Sequence, residues 1–126
     1  IKEMLASWEK QSGVAVVSQI QNEASLPAAI EQALFRMVQE ALSNISRHSG
    51  ASAVSVTFQA QSGQVSLQIS DNGHGFDASQ PSRGLGLHSM QERVQSVGGS
   101  LAIESSSNGT RLNVIVPLPE IQKEIA

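Results

Sequence analysis

Residues 54–71 read Val-Ser-Val-Thr-Phe-Gln-Ala-Gln-Ser-Gly-Gln-Val-Ser-Leu-Gln-Ile-Ser-Asp. Val54, Val56 and Phe58 alternate with polar residues, as do Val65, Leu67 and Ile69, and Ser62-Gly63 separates the two runs. Alternation is the period of a strand with one face buried, so this stretch predicts two strands joined by a turn. Asp71 keeps the parity of Val65, Leu67 and Ile69. Its carboxylate should therefore leave the strand on the core side. A carboxylate held there is costly unless something pairs with it.

Working outward, Ile30, Leu34, Val38, Ala41, Leu42 and Ile45 form the apolar stripe of a long helix. Pro27 opens it, because the fixed φ of proline suits a first turn, and it stops near Ser49-Gly50. Val14 to Ile20 is a β-rich run before it. Ile1, Met4, Leu5 and Trp8 have helical spacing, so residues 1–11 read as a helix ended by Gly13. Downstream, Asn72 to Arg83 is a polar loop. Leu87, Met90, Val94 and Val97 mark a helix closed by Gly98-Gly99. Leu101 to Glu104 and Thr110 to Val116 are strands turned at Asn108-Gly109, and Pro117 and Pro119 end the fold. The order helix, β, α, β, β, loop, α, β, β predicts an α+β domain: a mixed, mostly antiparallel sheet with helices on one face. The implied organisation is residues 1–12 as the tail of a preceding helical segment or linker, 13–119 as one domain, and 120–126 as a tail. The opening Ile1 reads as the start of an excised fragment.

The 126 residues suit one core. With 3 % aromatics, that core must rest on Val, Ile, Leu and Ala. A net charge of −3 argues against a nucleic-acid partner. Lys2, Lys10 and Lys123 lie near the ends, so any phosphate site must lean on arginine, backbone N–H groups or a metal. The absence of cysteine excludes disulfides and thiolate chemistry and fits a reducing compartment. No apolar run is long enough to span a bilayer.

Four stretches could carry chemistry. In Asp71-Asn72-Gly73-His74-Gly75-Phe76, the inward carboxylate could be satisfied by a ligand amino group, and Gly73 and Gly75 let backbone approach a flat ligand closely. Gly84-Leu85-Gly86-Leu87 opens a helix whose N-terminal amides could seat an anion. Glu40, Asn44 and His48 follow one another at spacings of four on the long helix, with Arg47 beside them. Asn44 offers a neutral hard oxygen suited to Mg²⁺, Glu40 a candidate base, Arg47 and His48 candidate phosphate contacts. Thr110 shares the inward parity of Leu112, Val114 and Val116. Each has an ordinary alternative when taken alone: a strand-end turn, a loop-to-helix junction, a solvated helix face and a hairpin threonine. Their conjunction and order make a nucleotide-binding set.

In that order the motifs resemble the GHKL ATPase superfamily, which includes sensor histidine kinases, gyrase and mismatch-repair ATPases. Gln39 to His48 resembles the N-box, Asp71 to Phe76 the G1 box and Gly84 to Leu87 the G2 box, with Gln91-Glu92-Arg93-Val94, Gly98-Gly99 and Gly109-Thr110 as the usual sequel. The resemblance implies a Bergerat-type two-layer α/β sandwich that binds ATP and Mg²⁺. It implies that Asp71 bonds the adenine amino group, Gly73 and Gly75 pack the turn beside the base, and Thr110 joins the adenine network. Asn44 would ligate Mg²⁺, and Glu40 would act as general base or water holder. Arg47 and His48 would lie near the phosphates, with Phe76, Arg83, Gly84, Leu85, Gly86 and Leu87 completing the nucleotide-binding set around the lid. Arg47 stands where the family often has lysine. His74 is no family hallmark and reads as an exposed turn residue. His88 has two options, phosphate or solvent.

The Gln-Glu-Ala-Leu-x-Asn form and the Met-x-Glu-Arg-Val helix look most like the nitrate-sensor and thermosensor subclass of histidine kinases. The family's phosphoacceptor histidine is usually followed by an acidic residue, whereas His48, His74 and His88 precede Ser49, Gly75 and Ser89. The substrate histidine is thus expected on another segment, a helical dimerisation domain of the same protein. The full-length protein is then a homodimer serving a response regulator, with this fragment cytoplasmic and making no membrane contact. The alternatives are a serine/threonine kinase of the anti-sigma-factor type, an ATPase switch, and a degenerate interaction domain without nucleotide.

Overall fold

In a computed structural model, residues 1–21, 26–61, 63–75 and 86–118 are described. The two alternating runs form strands β2 (Ala53–Gln61) and β3 (Gln64–Asp71), paired antiparallel with Val56 opposite Ile69 and Phe58 opposite Leu67. Their apolar residues share one face. Val56, Phe58 and Val65 are fully buried, and Leu67 and Ile69 nearly so. Ser62 of the turn lies outside the described residues.

The remaining elements are helix α1 (Lys2–Ser12), strand β1 (Ala15–Gln21), helix α2 (Ala28–Asn44), helix α3 (Leu87–Gln95), and strands β4 (Ser100–Ser106) and β5 (Gly109–Pro117). The sheet order is β1-β2-β3-β5-β4. β1 pairs parallel with β2 and every other pairing is antiparallel. A parallel pair needs a crossover, and α2 supplies it between β1 and β2. The arrangement is the expected α+β two-layer sandwich with helices over one face of a mostly antiparallel sheet.

α2 buries Ile30, Ala33, Leu34, Met37, Val38, Ala41 and Leu42, a stripe with helical spacing. Pro27 sits at the cap position, and its carbonyl accepts the first helical bond from the Glu31 N–H at 3.0 Å. The helix does reach Ser49 as the periodicity predicts, but its last turn, Ile45–Ser49, is π-helical. Apolar periodicity carries no signal for that change of winding. α3 buries Met90 and Val94 against the same core.

The N-terminal helix is part of this packing. Leu5 is 2 % exposed, and Ile1, Met4 and Trp8 lie against the core. Glu9 Oε2 accepts a hydrogen bond from the Val16 N–H at 2.7 Å, which occupies a donor on the edge strand β1. Because Leu5 is sealed in, Leu5→Ala should cost the whole domain about 2–5 kcal/mol. Urea unfolding checks this; a loss well under 1 kcal/mol would show α1 to be loosely attached.

Candidate functional site

Side-chain parity along β3 and β5 generates the site. Asp71 is the last residue of β3, on the face of Val65, Leu67 and Ile69. Thr110 is its partner on β5, on the face of Leu112, Val114 and Val116. Where the apolar ladder ends, a carboxylate and a hydroxyl therefore stand side by side under α2. Asp71 is half-buried. Its Oδ1 accepts a hydrogen bond from the Gly73 N–H at 2.8 Å, an Asx-type turn that orients the carboxylate. The Thr110 hydroxyl lies 2.9 Å from that of Ser105 on β4.

Asp71 and Thr110 border a cavity of about 270 Å³. Ala41, Asn44, Ile45, His48 and Ser49 contribute from α2 and its π turn, Ile69 and Asp71 from β3, and Thr110 and Leu112 from β5. His74, Gly75 and Leu87 close it. The walls are largely aliphatic with a few convergent polar groups, the composition of a site for a small organic ligand. Asn44 is half-buried, and its side-chain oxygen is a buried atom in the wall. Among the described residues no group of three or more His, Cys, Asp or Glu could hold a metal. A single amide oxygen still fits Mg²⁺, which keeps waters and phosphate oxygens and takes few protein ligands.

The turn after β3 is packed on protein. A β-carbon on Gly73 would collide with the Ser49 carbonyl, and one on Gly75, whose φ is +70°, with the Ser106 carbonyl. These two glycines were expected to admit a base. Among the described residues, their closest approaches are to the end of α2 and to the β4–β5 turn. Their direct effect is to hold the Asp71 turn between those two elements.

Several sequence-predicted residues lie elsewhere. Asn44 and His48 both line the cavity, but Glu40, their predecessor on the same helix side, does not. Its carboxylate lies against Gly86, the cap residue of α3, where the positive end of the helix dipole favours a negative charge. Arg47 is exposed, its Nε donating to the Ser43 carbonyl at 3.4 Å, and it does not border the cavity. It belongs to the π turn, where i→i+5 bonding alters the angular spacing assumed for a regular helix. His88 takes the solvent option, 90 % exposed with Nε2 3.2 Å from Glu92 Oε1. His74 is exposed as expected, yet its ring also borders the cavity, with Nδ1 2.8 Å from the Gly75 carbonyl oxygen. Phe76, Arg83, Gly84 and Leu85 lie outside the described residues. Sequence reasoning missed Ser49 and Ser105. Ser105 shares the inward parity of Leu101 and Ile103, a usable signal; Ser49 gave none.

A family model of the histidine kinase-, DNA gyrase B-, and HSP90-like ATPases matches residues 29–120. The chain belongs to this family. Among curated relatives of this HATPase-type domain, the sensor histidine kinase LiaS of Bacillus subtilis is 39 % identical over 127 residues, covering 98 % of this chain and 35 % of LiaS. The sensor histidine kinase MctS of Rhizobium johnstonii is 41 % identical over 97 residues, covering 74 % of this chain and 21 % of MctS. The chain thus spans about a third or less of these relatives' length. Solved structures share the fold. The histidine kinase domain of the Erythrobacter litoralis EL346 blue-light activated kinase superimposes with TM-score 0.78 at 20 % identity, over 93 % of this chain and 58 % of that one. The mycobacterial sensor histidine kinase MprB gives 0.67 at 20 % identity, over 92 % and 90 %.

The glycine packing is testable. Gly13 also has positive φ, but a β-carbon there meets nothing within 4 Å. Alanine at either position suffers left-handed strain of about 1–3 kcal/mol, and at Gly75 it also collides with backbone. Gly75→Ala should be the more destabilised by at least about 1 kcal/mol. Urea unfolding of both variants gives the difference; equal losses would mean that the turn moves aside freely.

Proposed function

We propose that this chain is the ATP-binding catalytic domain of a two-component sensor histidine kinase, binding Mg·ATP and presenting the γ-phosphoryl group to a histidine outside residues 1–126. The observation that carries this reading is the Asp71 carboxylate, set at the end of an apolar ladder and facing a largely aliphatic cavity. An ionised carboxylate only accepts hydrogen bonds. It matches the exocyclic amino group of adenine and opposes the carbonyl that guanine carries at the same place. Thr110, directly across the ladder, adds a hydroxyl that can donate or accept.

Asn44 is the residue assigned to the metal. Bound Mg²⁺ would neutralise charge on the phosphate oxygens. His48 borders the same cavity and supplies a donor toward the phosphates. Glu40 is the assigned general base, taking the proton of the attacking imidazole or holding a water. Its place against Gly86 sets it beside the helix that follows the lid. Phe76, Arg83, Gly84 and Leu85 are assigned to the lid from their motif positions, and Arg47 to the phosphates by its charge. The protein's part in such a transfer is positioning and charge neutralisation.

None of His48, His74 and His88 precedes an acidic residue, which supports a phosphoacceptor on another segment. We assign that histidine to a helical dimerisation domain in a homodimeric full-length protein, with residues 1–12 as the end of the connecting helix, 13–119 as the catalytic domain and 120–126 as its tail. A response regulator is the onward acceptor. The Gln39-Glu40-Ala41-Leu42-Ser43-Asn44 and Met90-Gln91-Glu92-Arg93-Val94 forms support the nitrate-sensor and thermosensor subclass. Among the described residues no helix is long and apolar enough to cross a membrane; we assign this domain to the cytoplasm.

Asp71→Asn should weaken ATP binding by about 1.5–3 kcal/mol, the scale of a hydrogen bond to a charged group. Titration calorimetry reads this directly, and an unchanged Kd would remove the adenine assignment. Asn44→Ala should flatten the rise in ATP affinity on adding Mg²⁺. Equal Mg²⁺ responses in variant and parent would strip Asn44 of the metal.

A further inference from the structure

Asn72 borders no cavity described above, yet it is heavily bonded for an exposed side chain. Its Oδ1 accepts hydrogen bonds from two consecutive backbone N–H groups, Ser52 at 2.9 Å and Ala53 at 3.0 Å. Its Nδ2 donates to the Ser52 hydroxyl at 3.0 Å, and its own N–H donates to the Ala53 carbonyl at 3.3 Å. All four bonds reach one spot, the entry to β2, about twenty residues back along the chain. The next residues are fastened to a second spot. Gly73 is buried against Ser49, and the His74 N–H donates to the Ser49 carbonyl at 2.9 Å.

The consequence falls on Asp71. A carboxylate at a strand end rotates about its side-chain bonds unless a hydrogen bond fixes one of its oxygens. Here Oδ1 is held by the Gly73 N–H, so its direction is that of the Gly73 peptide. The Gly73 peptide is anchored on one side by Asn72 and on the other by Ser49. Removing the Asn72 side chain takes away three of the four bonds on that side and leaves only the 3.3 Å backbone bond to the Ala53 carbonyl, so the Gly73 N–H gains room to swing and takes the Asp71 oxygen with it. The fold has independent support: the β2–β3 ladder and the apolar core do not pass through this side chain.

We propose that Asn72 is a positioning residue for purine recognition, clamping the turn after β3 to the entry of β2 so that the second oxygen of Asp71 faces the cavity in one orientation. The proposal rests on the assignment of Asp71 to the base. It separates two properties that a merely structural asparagine would not: affinity for nucleotide as such, and discrimination between a purine with an amino group at position 6 and one with a carbonyl there.

The experiment compares ATP with inosine triphosphate, which differ at that position. Both Kd values are measured by calorimetry for the parent protein, Asn72→Ala and Asn72→Asp. The parent should prefer ATP. In Asn72→Ala the preference should fall roughly five- to tenfold, as expected when a hydrogen bond to a charged group is loosened. Asn72→Asp keeps an oxygen for the Ser52 and Ala53 amides, and the Ser52 hydroxyl can turn to donate to it, so most of the preference should return. Its extra charge weakens both triphosphates alike and cancels in the ratio. A preference undiminished in Asn72→Ala overturns the role of Asn72 and leaves the base site standing. A parent protein with no preference overturns the base assignment and this inference with it. Should circular dichroism show Asn72→Ala unfolded, amide exchange on the parent decides. Coupling is reciprocal, so ATP should slow exchange at Ser52 and Ala53 more than inosine triphosphate does. Equal protection by the two nucleotides overturns the proposal.

Discussion

The ladder between β3 and β5 carries the rest of the structure. Val65 faces Val116, Leu67 faces Val114, Ile69 faces Leu112, and the same register then delivers Asp71 opposite Thr110. A slip of one residue in either strand would turn the whole apolar set outward and take the polar pair with it. Core and site are therefore specified by one register, and the energy that seals Val65, Leu67 and Val114 also holds the carboxylate in place. The half-buried state of Asp71 is consistent with this arrangement. The strand places its carboxylate inward, one oxygen is satisfied by the Gly73 amide, and the cavity keeps the group from full desolvation.

Around that ladder, the helical layer sets the opposite wall. α2 reaches the site through a π turn, a winding that recurs at functional positions in helices. It brings Ala41, Asn44, Ile45, His48 and Ser49 to one cavity while leaving Arg47 outside, bonded to the Ser43 carbonyl. The Ser49 carbonyl then receives the His74 N–H and takes Gly73 into close contact. Asn44 and Asp71 thus belong to elements tied together through backbone, a contact that tolerates only glycine at position 73. Glu40 leaves this group for the N-terminus of α3, which brings α2 and α3 into contact there.

Much of the fold was legible because period-2 and helical patterns translate directly into faces. Among the described residues, the five strands and three α-helices lie where the alternation and the apolar stripes put them, within a residue or two at the ends. For the site, parity alone put the Asp71 and Thr110 side chains inward, since inward and outward alternate without exception along an unbulged strand. The family also followed from sequence, because four weak motifs in a fixed order are far more specific than any of them singly.

What sequence alone determined was therefore everything local: the periods, the turn chemistry, the parity of two polar residues and the charge available for phosphate. Tertiary structure decided which residues meet. Opposition of Asp71 and Thr110 depends on the register between strands far apart in sequence. The clamp from Asn72 to Ser52 and Ala53 depends on the same pairing geometry. The swing of Glu40 to Gly86 and of Arg47 to solvent depends on how α3 docks and how the last turn of α2 winds. A spacing of four states that side chains share a helix face; it does not state what that face touches, because packing against distant segments sets the contact.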